Sequence, residues 1–356
     1  MKWNVPEERL HALPVQLGEL PDGIVLKRGR VEIRISGTSA ADVVRTIIRT
    51  ALHGATRTEL GSLVAAPERA DVLALVDHLV ARRILVAEND GPGAHAETQL
   101  DVFYWHFGTD RQHAEERLDQ QRISVLGVNH IARRLVEGLR AAGVTSCAVL
   151  DHPMLRNPEF FGEGDALSER AWPETLGPRP APVASALDVN PQSTNCLVAT
   201  SDLGAVRELR AWNEFCVLHG IRFVPVVLAD LVGHVGPVVV PGDSACYECL
   251  WARLNTHLAD PDGHWAAATN GGDGQAVAGL HPSMASILGD IATVELIKLF
   301  GLAPPLARFG TLIEVNLLGG AMKTRRVLKV PRCEVCSSRN KVPPTTLSRG
   351  LLFSFP

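Results

Sequence analysis

The sequence predicts an α/β protein in which an N-terminal winged-helix α+β domain precedes a Rossmann-type α/β domain with a structural zinc ion. Three observations predict this arrangement. Short alternating strands and three amphipathic helices come first, a strand–helix alternation begins near residue 122, and two CxxC pairs lie in the second half of the chain. Periods of two and 3.6 residues are typical of strands and helices, and paired CxxC motifs are typical of zinc sites.

The N-terminal elements follow one another in the order of a winged helix. Three short strands lie between residues 13 and 36, with a Pro-Asp-Gly turn between the first two and strict alternation from Val31 to Ile35. Helical patterns follow at 38–54, 56–64 and 67–80, and a strand returns at 84–86. Three strands, three helices and a returning strand predict a winged-helix layout.

The composition divides the chain into four parts. A polar stretch rich in Gly and Pro at 88–98 predicts a boundary, so the winged helix takes residues 1–90. Residues 91–120 are a linker and packing segment whose aromatic run 103–107 either packs on a domain or forms an exposed partner site. The α/β domain takes 121–340, and 341–356 is a C-terminal tail.

The alternation of the larger domain predicts a mostly parallel sheet with helices on both faces. Its opening unit is a buried-type strand at 123–127, a helix at 131–142 and a strand at 147–151. A strand, a helix and a strand follow at 196–200, 206–218 and 223–227. This repeat is typical of a Rossmann-type fold.

Two cysteine pairs give the most specific chemical signal. Cys246 and Cys249 form one CxxC motif, Cys333 and Cys336 form another, and 83 residues lie between them. Four thiolates fill a tetrahedral Zn²⁺ site and leave no position for water or substrate. The pattern therefore predicts a structural zinc; the alternative is four unrelated buried cysteines.

The turn after the first Rossmann strand carries an incomplete nucleotide-binding motif. A GxGxxG turn lets backbone N–H groups approach a phosphate, but here Gly127 is followed by Asn129 and Ala132 at the second and third glycine positions. Asp151 stands where an acid that binds a ribose is expected. Either a nucleotide binds at this turn, or, as we expect, the fold is kept without ATP.

Charge and hydropathy argue against other classes of function. The chain has 35 Lys and Arg against 39 Asp and Glu, with no basic run, so we expect neither a nucleic-acid nor a membrane partner. No signal peptide or run of about 20 apolar residues is present, and we expect a cytoplasmic protein. No GxSxG or HExxH motif occurs, and Cys147, Cys196 and Cys216 lie in strand or helix patterns that predict buried thiols.

Several segments together resemble the ThiF/MoeB family of adenylyltransferases. They are the Rossmann unit, Asp202 with the helix RELRAWNEFCVLHGIRFVPV, GPVVVPGDSACYECLWARL, HPSMASILGDIATVELIKLFG and PRCEVC, and the resemblance spans about residues 120–340. Active members carry GxGxxG and, beyond the ribose acid, an Asp, an Asn and an Arg that serve ATP. Only Asp151 stands in place here, since Arg156 and Asn157 miss that spacing, and the cysteine that forms a thioester in some members has no counterpart.

A ThiF-like domain behind a winged helix resembles the ocin-ThiF-like and cyclodehydratase-partner proteins of ribosomal peptide natural-product (RiPP) and bacteriocin biosynthesis. In that family the N-terminal part is similar to PqqD and is called the RiPP recognition element. The resemblance implies a homodimeric, non-catalytic adaptor that binds a precursor-peptide leader and activates a YcaO cyclodehydratase forming azolines with ATP. The alternative is an active ThiF/MoeB-like adenylyltransferase that acts on a peptide or carrier protein.

The N-terminal residues are compatible with leader binding. The last strand of the small sheet offers a free edge to which a leader could add as a further strand, with its side chains against the third helix. The arginines either pair with acidic leader residues or form a solvated face. The predicted leader-binding residues are Arg30, Val31, Ile33, Arg34, Ile35, Arg69, Leu73, Val76 and Val80.

Overall fold

The computed structural model describes residues 8–87, 98–177, 179–229, 231–260 and 279–337. The chain divides into two compact units, residues 1–111 and 112–356. The division falls inside the segment 91–120 that the composition marks as a linker. The predicted tail 341–356 lies outside the described residues.

The N-terminal unit begins with four strands: β1 (Arg9–Ala12), β2 (Gln16–Leu20), β3 (Gly23–Arg28) and β4 (Val31–Ser36). Strands β2, β3 and β4 form an antiparallel sheet in that order, and β4 lies at its edge. Gly23 stands where the β2–β3 turn meets β4, and a Cβ there would lie 2.0 Å from the carbonyl oxygen of Ile35. The three strands predicted from alternation are therefore present, and β1 precedes them.

Three helices follow: α1 (Ala40–Ala51), α2 (Arg57–Gly61) and α3 (Arg69–Ala81). The short strands β5 (Ala55–Thr56) and β6 (Leu85–Ala87) flank β1 in a second antiparallel sheet. The returning strand predicted at 84–86 thus pairs with β1, which the sequence pattern did not indicate. Val44, Ile47 and Ile48 of α1 are buried in the core of this unit, as their helical spacing requires.

The aromatic run forms most of helix α4 (Gln99–Trp105) and packs on the N-terminal unit. The indole of Trp105 is 7% exposed, donates a 2.8 Å hydrogen bond to the carbonyl of Arg83, and lies 4.8 Å from the guanidinium of Arg28. A buried indole needs such a partner for its N–H. This segment is a packing element.

Among the described residues, the C-terminal unit is built on one eight-stranded sheet. The strands are β7 (Ile123–Leu126), β8 (Ala148–Asp151), β9 (Ala181–Pro182), β10 (Cys196–Ser201), β11 (Arg222–Ala229), β12 (Val232–Val235), β13 (Thr311–Asn316) and β14 (Ala321–Arg326). The parallel part has the order β9-β8-β7-β10-β11, and the antiparallel strands β12, β13 and β14 extend it beyond β11. The predicted parallel-rich sheet is confirmed.

Helices join and cover these strands: α5 (Arg111–Asp119), α6 (His130–Ala141), α7 (Val206–Leu218), α8 (Tyr247–Asn255) and α9 (Pro282–Leu296). Helices α6 and α9 pack closely because small residues lie between them. A Cβ at Gly138 would lie 2.4 Å from Oγ1 of Thr293, and one at Gly289 would lie 2.9 Å from Cβ of Arg134. Strands β7 and β10 are buried throughout, as expected for the centre of such a sheet.

Short 3₁₀ turns and the two-residue strand β9 lie in the connection between β8 and β10, which agrees with its lack of periodic pattern. Among the described residues, no helix combines the length and the apolar character needed to cross a membrane.

Candidate functional site

The four cysteines of the CxxC motifs come together in the C-terminal unit. Cys246 is the N-cap of α8, and Cys249 lies in the first turn of that helix. Cys333 and Cys336 lie in the turns that follow β14. Helix α8 and the chain beyond the sheet are thereby joined at one point.

The spacing of the sulfur atoms fits a metal site. The four Sγ atoms lie within 4.8 Å of one another, with separations of 3.6 Å for Cys246–Cys333 and 3.5 Å for Cys249–Cys336. Zn–S bonds of about 2.3 Å in a tetrahedron place the sulfurs about 3.8 Å apart. The four cysteines could therefore hold a metal ion. Four sulfur ligands would fill a tetrahedral site and leave no position for a substrate.

One thiol of this cluster also accepts a hydrogen bond from the main chain. The neighbouring thiols of Cys246 and Cys336, together with the N–H of Val330 at 3.3 Å, lower the pKa of Cys249. A thiolate is the form that binds metal.

The remaining cysteines are buried, as predicted, and are not among the four that come together. Burial raises the pKa of Cys147 and of Cys196 to about 12, and it also raises that of Cys216. Thiols held in this protonated form are poor nucleophiles.

Asn129 fills the first turn of the Rossmann-type unit. Its side chain has no exposed surface. Its amide nitrogen donates to the carbonyl of Leu155 at 3.0 Å and to the carbonyl and hydroxyl oxygens of Thr200, both at 3.1 Å, while its oxygen accepts from the N–H of Ala132 at 2.9 Å. The residue that stands at the second glycine position therefore caps α6 and ties its first turn to β10.

A carboxylate occupies another donor at the start of α6. Oδ2 of Asp202 accepts from the N–H of His130 at 3.1 Å and from the side chain of Asn157, also at 3.1 Å. Asp202 is 2% exposed, and burial raises its pKa. Backbone donors at a helix N-terminus are where a phosphate would bind, and here two of them are already used by side-chain oxygens.

The predicted ribose acid also has a partner within the chain. Nε and Nη2 of Arg156 donate to the two carboxylate oxygens of Asp151 at 2.7 and 2.8 Å, and Nη1 reaches Asp165 at 2.8 Å. A two-point pair of this geometry is among the stronger ionic contacts in proteins. A ribose hydroxyl would have to compete with it for Asp151.

Arg156 and Asn157 lie beside the first turn although they miss the spacing of the family's ATP motif. Their side chains contact Asp151 and Asp202 respectively. The isolated bridge between Val128 and Arg156 brings the connection after β8 back to the first turn. Because this connection has no periodic pattern, the sequence could not indicate that these contacts form.

The edge strand β4 presents two kinds of side chain. Ile33 is 6% exposed and belongs to the core, whereas Val31 and Ile35 on the same face are half-buried. Glu32 and Arg34 alternate to the exposed face. Among the described residues β4 pairs only with β3, so its other edge is open.

The predicted residues of α3 divide in the same way. Val76 has no exposed surface and is a core residue, while Leu73 and Val80 are half-buried. A ligand at this surface would therefore contact Leu73 and Val80, and Val76 would support them from below.

The three predicted arginines differ in their surroundings. Arg34 is paired with Asp22 at 2.8 Å, with both side chains more than half exposed. The backbone N–H of Arg30 donates to the ring of His106 at 3.3 Å, and its side chain is exposed. Arg69 lies exposed in the first turn of α3. Arg30 and Arg69 are thus better placed than Arg34 to meet an acidic ligand.

The fold defined by these features is shared with several solved structures. E. coli MccB shares 14% identity over 93% of this chain and 97% of its own, with a TM-score of 0.68. The heterocyclase TruD shares 16% identity over 94% of this chain but 43% of its own, with a TM-score of 0.62. MccB solved with ATP is similar at 13% identity, over 92% of this chain and all of its own, with a TM-score of 0.66, and MccB has also been solved with MccA.

No protein-family model matches the sequence, and no curated protein matches it. The likeness to MccB and TruD therefore establishes the fold.

Proposed function

We propose that this protein is a non-catalytic, ThiF-like adaptor that binds the leader of a ribosomally made precursor peptide and presents it to a YcaO cyclodehydratase forming azolines. The observation that carries the proposal is the open edge of β4, with half-buried Val31 and Ile35 on the face turned to the core. A leader adds there as a further strand, held by main-chain hydrogen bonds and by alternate side chains on this apolar surface. Leu73 and Val80 provide the apolar surface of α3.

The first turn of the Rossmann-type unit supports a role without nucleotide chemistry. Asn129 and Asp202 take N–H groups of α6 that a phosphate would use, and Arg156 takes the carboxylate of Asp151. Binding ATP would require these contacts to break and would bring its phosphates near a buried acid. The energy of ATP is then used by the partner enzyme.

The heterocyclase TruD is longer than the part of it that this chain matches, since the chain spans 43% of TruD. We propose that a YcaO partner carries out the cyclodehydration. The resemblance also implies a homodimer, which light scattering on the purified protein would test.

The metal in this proposal is Zn²⁺, held by Cys246, Cys249, Cys333 and Cys336. Because all four positions are sulfur, the ion would supply folding energy and take no part in a reaction.

Leader affinity is the direct test. A fluorescein-labelled leader from the precursor gene beside this one is titrated into the full chain and into Ile35→Glu, which places a charge on the proposed contact face. We expect a dissociation constant in the micromolar range or below and at least about a tenfold loss in the variant. Glu32→Ala, on the opposite face of β4, is the matched control and leaves affinity within about twofold. Absence of leader binding by the wild-type protein would overturn the proposal.

A second function, ATP-dependent adenylation of a peptide, rests on a different observation. Asp202 is a buried carboxylate beside the first turn, where it could bind the Mg²⁺ ion of MgATP. The chain also spans nearly all of MccB, which has been solved with ATP. Calorimetric titration of MgATP to about 1 mM, with MccB as the positive control, separates the two functions. Heat of binding for this protein, together with ATP–pyrophosphate exchange, would establish the enzyme and refute the adaptor.

A further inference from the structure

The open end of the β13–β14 hairpin carries a cleft that the proposed function does not use. The cleft has a volume of about 790 Å³ and lies within the C-terminal unit. Its wall includes Arg308, Phe309, Thr311, Thr324, Arg326 and Lys329.

The charge of this cleft is strongly positive. Among the described residues, Arg308, Arg326 and Lys329 line it, with Asp243 as the one acid in its wall. Lys329 donates to the carbonyl of Gly242. Within the part of the chain that the structure describes, the guanidinium groups of Arg308 and Arg326 have no acidic partner, whereas Arg325 on the same strand is paired with Glu314 at 3.2 Å. Two exposed cations are therefore available to an anionic ligand.

The same wall has apolar and main-chain components. Phe309 is 43% exposed and Leu328 is 54% exposed. All six residues of β14 are exposed, and among the described residues only β13 pairs with this strand. An open strand edge offers a row of N–H and C=O groups, which a small anion cannot use and an extended polypeptide can.

We infer that this cleft, with the edge of β14, binds an acidic segment of a partner polypeptide in extended form. The six residues of β14 provide about 20 Å of edge at about 3.3 Å per residue. Because side chains alternate along a strand, acidic residues at every second position of the segment would reach Arg326 and Arg308. The residues between them would lie on the opposite face, where Arg325 is paired with Glu314 and Lys323 lies opposite the same carboxylate. This site is independent of the leader surface on β4.

The test uses fluorescence anisotropy with the full-length protein. The probe is a fluorescein-labelled peptide of four Glu-Val repeats, with a Gln-Val peptide as the neutral control. We expect the acidic peptide to bind with a dissociation constant below about 100 μM, more weakly as NaCl is raised, and the Gln-Val peptide to bind at least about fivefold more weakly. The double variant Arg308→Ala/Arg326→Ala should lower affinity about fivefold or more, and Arg325→Ala less than about twofold.

Two further measurements separate strand addition from simple charge attraction. N-methylation of alternate residues of the acidic peptide removes main-chain donors and should abolish binding if the edge of β14 is used. The double variant Arg308→Glu/Arg326→Glu should bind a Lys-Val peptide in place of the Glu-Val peptide, which shows that the altered protein is still folded. The inference is overturned if the Glu-Val peptide does not bind, if N-methylation has no effect, or if inorganic phosphate competes as well as the peptide does. It is also overturned if Ile35→Glu on β4 weakens this binding, since the peptide would then occupy the leader surface.

Discussion

Arg156 binds Asp151 through two parallel hydrogen bonds of 2.7 and 2.8 Å, so the acid at the end of β8 is neutralised from within the chain. The two side chains are 20% and 11% exposed, which limits screening by water. Through this pair and the hydrogen bonds of Asn129 and Asp202, the polar groups around the first turn of the Rossmann-type unit are bonded to other groups of the same chain.

The Arg156–Asp151 pair should contribute measurably to stability. Arg156→Ala leaves a mostly buried carboxylate without its partner, and we expect a loss of about 1–3 kcal/mol in the free energy of unfolding. Arg156→Lys keeps the charge but not the two-point geometry, so its free energy of unfolding should lie between those of the wild type and Arg156→Ala. Urea denaturation measures the difference. Arg325→Lys, in the more exposed pair with Glu314, is the control and should change stability by less than about 0.5 kcal/mol.

Asn129 should be a structural residue of the turn. Asn129→Asp keeps the oxygen that caps α6 but replaces the amide donor by a second oxygen facing Leu155 and Thr200, so it should destabilise the protein by at least about 2 kcal/mol. Asn190→Ala removes an exposed cap in the same unit and should cost less than about 1 kcal/mol. An Asn129→Asp protein as stable as the wild type would show that these bonds are dispensable.

The cysteine cluster should bind one metal ion per chain. Cys246→Ser or Cys336→Ser should remove the metal and lower the melting temperature by about 10 °C or more, because a closed thiolate site contributes directly to folding. Elemental analysis and thermal denaturation of the same samples measure both effects. Cys147→Ala, also a buried cysteine but outside the cluster, should keep its metal. Equal metal content in all variants would contradict a four-cysteine site.

The N-terminal unit should lose stability in mild acid. Partial burial, followed by the nearby charges of Arg30 and Arg28, lowers the pKa of His106, whose ring accepts a hydrogen bond from the N–H of Arg30. The unfolded chain therefore binds this proton more readily than the folded chain does. The contribution of the neutral His106 ring to the free energy of unfolding is fully present above about pH 6.5 and is lost as the pH falls below that value.

His106→Gln should reduce this acid dependence, whereas His53→Gln, at an exposed position of the same unit, should leave it unchanged. Urea denaturation at several pH values between about 5 and 8 compares the three proteins. Identical profiles for the wild type and His106→Gln would show that His106 is not the responsible group.

The local sequence pattern was sufficient to predict those features that depend on residues close together in the chain. The alternation from Val31 to Ile35 predicted β4, and the apolar run from Ile123 to Leu126 predicted a central parallel strand. The two CxxC motifs predicted the cysteine cluster, because paired motifs of this spacing are typical of four-cysteine metal sites. Strand β1 was missed, since four residues beside the N-terminus carry too short a pattern, although it pairs with both β5 and β6.

By itself the sequence determined the three helices and the β2–β4 sheet of the N-terminal unit, the parallel-rich sheet and the cysteines that meet, because hydrophobic period and motif spacing are properties of neighbouring residues. Only the tertiary structure decided that Arg156 reaches Asp151 and that Asn157 reaches Asp202, because these contacts depend on how a stretch without periodicity folds back over the sheet. It also decided which apolar residues are exposed: Ile33 and Val76 are in the core, while Val31, Ile35, Leu73 and Val80 are half-buried. Burial is a property of everything that packs around a side chain, and spacing along the chain specifies only the face on which that side chain lies.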